Sequence, residues 1–287
     1  MNEFSVEGAC YWADLDPRSG NYLLVGVEGK VLLYNRNTNT LVHTYGGHFG
    51  PVNTVAIASD NTILLSNSHF SICHWDVSSG RLVRKLNAGN LAVNHVDIHA
   101  RDKNLAASAS LDCLVRIWDL RMQKLPVQIL EDAKDSVTRV HIRDDTIVTS
   151  SLDGCIRQYD IRKGQVIDDY FKTGITASDV TKDGALGVAC LENKGVVLID
   201  LEEGKELKTM HSSSEAVVPL CWCGPTDEYI AVSEKDTLFL YDIVSSDKPK
   251  LSAKVAKISS ISYRHNNLIC ASLDGKVTVL PLNNSNR

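Results

Sequence analysis

Short apolar runs and polar breaks alternate along the whole chain. Leu111-Asp112-Cys113-Leu114-Val115-Arg116-Ile117-Trp118-Asp119 sets the pattern: an acidic turn, an alternating run, an aromatic residue, then Asp. It returns as Leu152-Asp153-Gly154-Cys155-Ile156-Arg157-Gln158-Tyr159-Asp160, with Asp119 and Asp160 41 positions apart. Alternation with period two marks a strand with one buried face. The endings fall at Asn35, Asp76, Asp119, Asp160, Asp200, Asp242 and near position 281, with gaps of 41, 43, 41, 40, 42 and 39. A period of about 40–45 residues with four short strands per copy predicts an all-β propeller of seven blades.

The first repeat places strand a at 10–15, a turn cluster at 16–21, strand b at 22–26, a turn at Glu28-Gly29, strand c at 31–34 and strand d at 41–45. The next five follow in the same order: 52–57, 62–66, 71–76, 82–86; then 93–98, 104–108, 114–119, 126–130; then 137–142, 146–150, 155–160, 165–170; then 175–180, 186–190, 195–200, 206–210; then 217–222, 228–232, 237–242, 250–255. The seventh offers 258–263, 268–272 and 276–280, then a polar tail from Pro281 to Asn284, and lacks strand d. Residues 3–6 precede the first strand a and are expected to supply that strand and close the ring. Closure removes exposed strand edges. Because it joins distant parts of the chain, it is expected late in folding. The blades are read as 7–45, 46–88, 89–131, 132–171, 172–211, 212–256, and 257–282 together with 1–6, in one domain over 1–287. A pair of β-sandwiches also has many short strands, but the fixed period argues against it.

Composition narrows the function. Of the 287 residues 44% are hydrophobic and 23% charged, the make-up of an ordinary globular domain. The net charge of −5 and pI near 6.0 argue against a dedicated nucleic-acid binder. No apolar run is long enough to span a membrane, and Met1-Asn2-Glu3-Phe4 does not open like a secretory leader. A cytoplasmic or nuclear location is expected. The eight cysteines read as buried small apolar groups, and Cys221-Trp222-Cys223 lacks the second pair a structural zinc needs. There is no phosphate loop, metalloprotease or nucleophile-elbow motif. His95, His99 and His141 read as structural strand residues, and no enzymatic activity, cofactor or metal is expected.

In this architecture Asp at the b–c turn accepts backbone amides and a His from the preceding d–a loop. Asp112, Asp153 and Asp274 hold that position; Glu28, His69, Asn193 and Lys235 replace it elsewhere. His48, from the one Gly-His pair, faces a turn carrying His69. No blade is therefore expected to assemble the whole set, and Asp153→Ala is expected to cost about 1–2 kcal/mol. Arg116 and Arg157 share a slot expected to face a neighbouring layer or solvent. Trp75, Trp118, Tyr159 and Tyr241 share another, explained by packing. The central channel is expected to be lined by small or apolar residues such as Ala177 and Ser260.

Function is then expected on loops. The d–a and b–c connections emerge on one face, which should carry His48, Phe49, His69, Phe70, Asn94, Lys134, Asp135, Arg139 and Lys172, with Tyr11 and Trp12 near its rim. Exposed aromatics beside mixed charge suit a protein-binding surface. The alternative is direct binding of RNA or a small ligand, carried by the basic set Lys134, Arg139, His141, Arg143 and Arg157.

The repeats resemble the WD-repeat family along essentially the whole chain. The stretch from Gly80-Arg81-Leu82-Val83-Arg84-Lys85-Leu86 through residues 128–137 and 151–165 to Gly174-Ile175-Thr176 resembles those members that organise mitogen-activated protein kinase modules. Glu28, His69 and Lys235 depart from the family's turn pattern. The resemblance implies a scaffold without catalysis whose partners are proteins: kinase-cascade, polarity or splicing-factor components. Nucleic acid would be met only indirectly, and the chain would act as a monomer within a larger complex.

Overall fold

The computed structural model describes residues 2–122, 125–192, 194–211, 220–223, 228–234, 236–244, 249–255 and 257–282. Seven antiparallel sheets succeed one another along the chain. Their innermost strands touch in sequence, and the last touches the first, so the sheets form a closed seven-bladed propeller. The innermost strands, a in each blade, are Trp12–Leu15, Thr54–Ile57, Val93–Ile98, Val137–Arg143, Ile175–Val180, Leu220–Cys223 and Ile258–Arg264. In blade 1, strands b and c run together as Tyr22–Asn35, turned back on itself at Gly29 with φ +72°. Its strand d, Thr40–Pro51, continues along the connection to blade 2. The sixth strand a was expected from position 217; residues 212–219 lie outside the described residues, as do Asn193, Lys235 and the tail from 283.

The repeat is also a repeat of bonds. In every blade one amide just beyond strand c donates to a carbonyl just before strand b: Arg36 to Asn21, Val77 to Thr62, Leu120 to Asn104, Ile161 to Asp145, Leu201 to Ala185, Ile243 to Glu228 and Leu282 to Asn266, all at 2.7–3.1 Å. The Asp that follows the aromatic closes the c–d turn. Asp76, Asp119, Asp160, Asp200 and Asp242 each accept the amide two residues on. Asn35 accepts the amide of Asn37 in the same way at 2.9 Å, so its amide oxygen replaces a carboxylate without loss of the turn.

The apolar side chains form seven clusters, one in each gap between neighbouring blades. Trp118, for example, packs with Leu65, Ile72 and Leu86 of the preceding blade. Each sheet therefore buries both faces, which is why its central strands read as nearly continuous apolar runs.

The ring shuts as its sequence anticipates. Asn2–Ser5 pairs antiparallel with Lys276–Pro281, placing Phe4 opposite Val277. Phe4 is 4% exposed and packs with Cys10, Ala13, Val25, Val277 and Val279 between blades 7 and 1. The Val6 amide donates to Gly275 O at 2.8 Å. Gly275 has φ +83°, and a Cβ there would sit 2.6 Å from Val6 O, so only glycine fits this crossing. Phe4→Ala should lower unfolding stability by about 3–5 kcal/mol, read as a fall in the urea midpoint. A loss under about 1 kcal/mol would mean that this strand does not hold the ring.

Candidate protein-interaction face and central channel

The face bearing the d–a and b–c connections carries an apolar crescent. Phe49 is 78% exposed and Phe70 53%, and Leu91 and Leu111 are exposed beside them. These loops are stitched together. Gly50 lies against the His69 ring, the Val93 amide donates to His69 O at 2.8 Å, and the Leu111 amide donates to Ala92 O at 2.9 Å. The His69 and Phe70 rings lie 5.6 Å apart, and Lys85 Nζ sits 5.0 Å over the Phe49 ring. Further round the same face, Lys134, Asp135 and Lys172 are exposed. Tyr11 is half-buried and donates to Glu28 Oε2 at 3.3 Å.

Other residues expected on the rim are elsewhere. His48 is buried, with Nε2 2.7 Å from Ser66 Oγ and Nδ1 3.1 Å from Ser68 Oγ. Ser66 Oγ also accepts the Trp75 indole N–H at 2.8 Å. Blade 2 thus builds a His-Ser-Trp network on Ser66 and Ser68 rather than on the turn residue His69. Trp118 makes the same indole bond to Ser108 Oγ at 2.9 Å, so the aromatic slot does more than pack. Asn94 is half-buried and donates to Val137 O at 2.8 Å. Asn53 donates to Val93 O, and Thr138 to Ile175 O. All three stitch one strand a to the next.

The turn aspartates do more than expected in two blades. Arg116 and Arg157 do not face solvent; Arg157 is 3% exposed. Asp112 takes Arg116 through two bonds at 3.1 and 2.8 Å, and Asp153 takes Arg157 at 3.2 and 2.8 Å. Asp153 also accepts the amides of Lys134 and Cys155 at 2.8 and 3.0 Å. The repeated Asp-x-x-x-Arg spacing was the available signal, since four residues along the hairpin return the guanidinium to the turn. Among the described residues, Asp274 caps its own turn alone, with the Lys276 amide at 3.3 Å.

The channel is charged rather than small and apolar. Ala177 and Ser260 do occupy one strand-a position, but the same position holds Trp12, His95 and Arg139 in blades 1, 3 and 4. These converge on the axis: Arg139 lies 5.4 Å from the Trp12 ring centroid, and the Trp12 and His95 centroids are 6.1 Å apart. Trp12 and Arg139 line both of two cavities. One, about 400 Å³, opens among Asn53, Asn94, Ser136 and Thr138 on the crescent face. The other, about 390 Å³, opens toward the a–b connections at Pro17, His99 and Lys182. In the second, Arg264 donates to Asp14 at 2.8 Å, and Arg143 lies 3.2 Å from Asp97 and 4.0 Å from Asp179. Hence the basic set Lys134, Arg139, His141, Arg143 and Arg157 forms no single surface. Lys134 is exposed, Arg157 and Arg143 are paired with carboxylates, His141 is buried, and Arg139 faces the channel.

The model of the WD domain, G-beta repeat, matches residues 39–76, 80–119 and 124–160. WD repeat domain-containing protein 83 homolog of Dictyostelium discoideum is 30% identical over 275 residues, covering 84% of this chain and 83% of the relative. The chain belongs to the WD-repeat family. WD repeat domain-containing protein 83 of Rattus norvegicus is 33% identical over 229 residues, covering 78% of this chain and 73% of the relative. No catalytic family is indicated by these likenesses. The three matched segments end on Asp76, Asp119 and Asp160, the residues that close the c–d turns.

Protonation in this WD-repeat propeller follows burial. Burial, with Lys85 nearby, holds His48 down at about 4. Burial and Arg143 hold His141 at about 3, and burial and Arg139 hold His95 well below its ordinary value. His74 is lowered by burial and Arg84. All four are neutral in the folded protein near pH 7. Their unfolded pKa is 6.5, so below it the unfolded chain takes up protons that the fold refuses. Stability is full above that pH and falls as pH drops toward the folded values. The urea midpoint should therefore decline from pH 7 to pH 5, and less so in His48→Gln/His141→Gln; a flat profile would contradict this. Burial opposes the Asp153 carboxylate, but the bonds from Arg157, Lys134 and Cys155 prevail and lower its pKa. Asp153→Ala removes both hydrogen bonds to the buried Arg157 guanidinium, leaving it Asp168 at 3.5 Å from Nε, and should cost about 3 kcal/mol, above the value expected from the turn alone. Adding Arg157→Leu should restore much of that loss in the same denaturation measurement.

Proposed function

We propose that the chain is a non-enzymatic scaffold that holds partner proteins on its crescent face. The carrying observation is the run of exposed Phe49, Phe70, Leu91 and Leu111 on loops joined by backbone hydrogen bonds. Large apolar side chains held rigidly in water and flanked by Lys85 and Lys134 have the make-up of binding hot spots. Loops on a stiff scaffold can vary without disturbing the sheets beneath. Homology to WD repeat domain-containing protein 83 supports the scaffold reading. The resemblance of residues 80–176 to organisers of mitogen-activated protein kinase modules favours kinase-cascade or polarity components as partners, with splicing factors as a second group. A cytoplasmic or nuclear location, and a monomer acting within a larger complex, fit that role. Direct RNA binding is not favoured, because its basic set is dispersed.

Affinity purification of the full chain from native lysate tests this reading. Wild type should recover kinase-cascade, polarity or splicing components. Phe49→Asp/Phe70→Asp should recover at least about tenfold less while melting within a few degrees of wild type. Recovery of none of these groups, or equal recovery by the double variant, would count against the crescent as the docking face.

A further inference from the structure

Three guanidinium groups enter the channel, and two are answered. Arg143 is met by Asp97 and Asp179, and Arg264 by Asp14. Arg139 makes no hydrogen bond or ion pair among the described residues; its partner is the face of Trp12. A half-buried cation with no anion in contact is costly to hold; burial disfavours the Arg139 charge, and Asp179 offsets this only at a distance. The neighbouring side-chain donors are neutral, and Asn53, Asn94 and Thr138 are held in place by bonds to carbonyls of the next blade, so the charge of the site comes from Arg139. A second unmet donor lies in the same constriction, since Trp12 Nε1 is buried without a partner. The cavity above them, about 400 Å³, is open to the crescent face.

These features select the ligand. A guanidinium offers a planar fork of N–H groups that matches a carboxylate in two parallel bonds. One free cation offsets one negative charge. A phosphate dianion would bring a second negative charge, and Arg139 is the one charged side chain lining this cavity among the described residues, so that charge would go unmatched. We propose that the crescent-side cavity binds a carboxylate group, seated bidentately on Arg139 against Trp12. The carboxylate comes either from a free small acid or from an acidic side chain that a partner inserts into the mouth. The site stands apart from the apolar crescent, so it does not depend on Phe49 or Phe70.

The test follows the Trp12 indole N–H by nitrogen-15 NMR of the full chain, assigned with Trp12→Phe, during titration with propionate, the peptide acetyl-Gly-Glu-Gly-amide and inorganic phosphate. Propionate or the peptide should shift the signal saturably, and phosphate should bind more weakly than both. Arg139→Gln should weaken carboxylate binding at least about tenfold, the loss expected for one charge-assisted bidentate contact. Arg139→Lys should keep part of it, and Phe49→Asp/Phe70→Asp should keep all of it. Tighter binding of the peptide than of propionate assigns the carboxylate to a partner side chain, and the reverse assigns it to a free acid. Absence of a saturable shift, equal binding by Arg139→Gln, or tighter binding of phosphate would overturn the proposal. Removing the uncompensated cation should not unfold the ring, and a thermal melt of Arg139→Gln checks that.

Discussion

The whole molecule rests on one pairing, the hydrogen-bonded ladder between Asn2–Ser5 and Lys276–Pro281. Every other sheet is made from a local stretch of chain and could in principle form early. The last sheet needs both ends at once. Without it the gap between blades 7 and 1 opens, and Phe4, Val277 and Val279 lose their shared cover. Because each apolar cluster belongs to two sheets, a fault at the closure is felt on both sides.

The repeat was legible because its signals are one-dimensional. Alternation, turn residues and the aromatic-Asp ending all lie within a few positions of one another, and they located the strands of every blade whose residues are described. Asn35 shows why a departure from the pattern did no harm, since its side chain keeps the acceptor that the turn uses. Harder to read were contacts made between repeats. His48 found Ser66 and Ser68 rather than the turn at His69. Arg116 and Arg157 turned back onto their own hairpins, which the spacing to Asp112 and Asp153 contained but the strand alternation did not.

The channel was the least legible region. Its lining is assembled from one position in each of several strands, some 40 or more residues apart in the chain. No local window joins Trp12, His95 and Arg139, and only the register of the strands brings them together. Small residues at that position in other blades, Ala177 and Ser260 among them, suggested an inert pore, but both are buried and line neither cavity. The rim divides similarly. Phe49, Phe70, Lys134 and Lys172 are at the surface, whereas Asn94 and Arg139 are turned inward.

Trp12 and Arg139 meet near the axis and line both cavities, whereas Asp14, Asp97 and Asp179 line only the one opposite the crescent. The two mouths differ in chemistry: one is amide-rich with Arg139 as its charge, the other carries Arg143 and Arg264 paired with carboxylates. Since Trp12 belongs to the first blade and Arg139 to the fourth, their contact reaches across the axis, and the interior gains this shared lining from the arrangement of the whole ring.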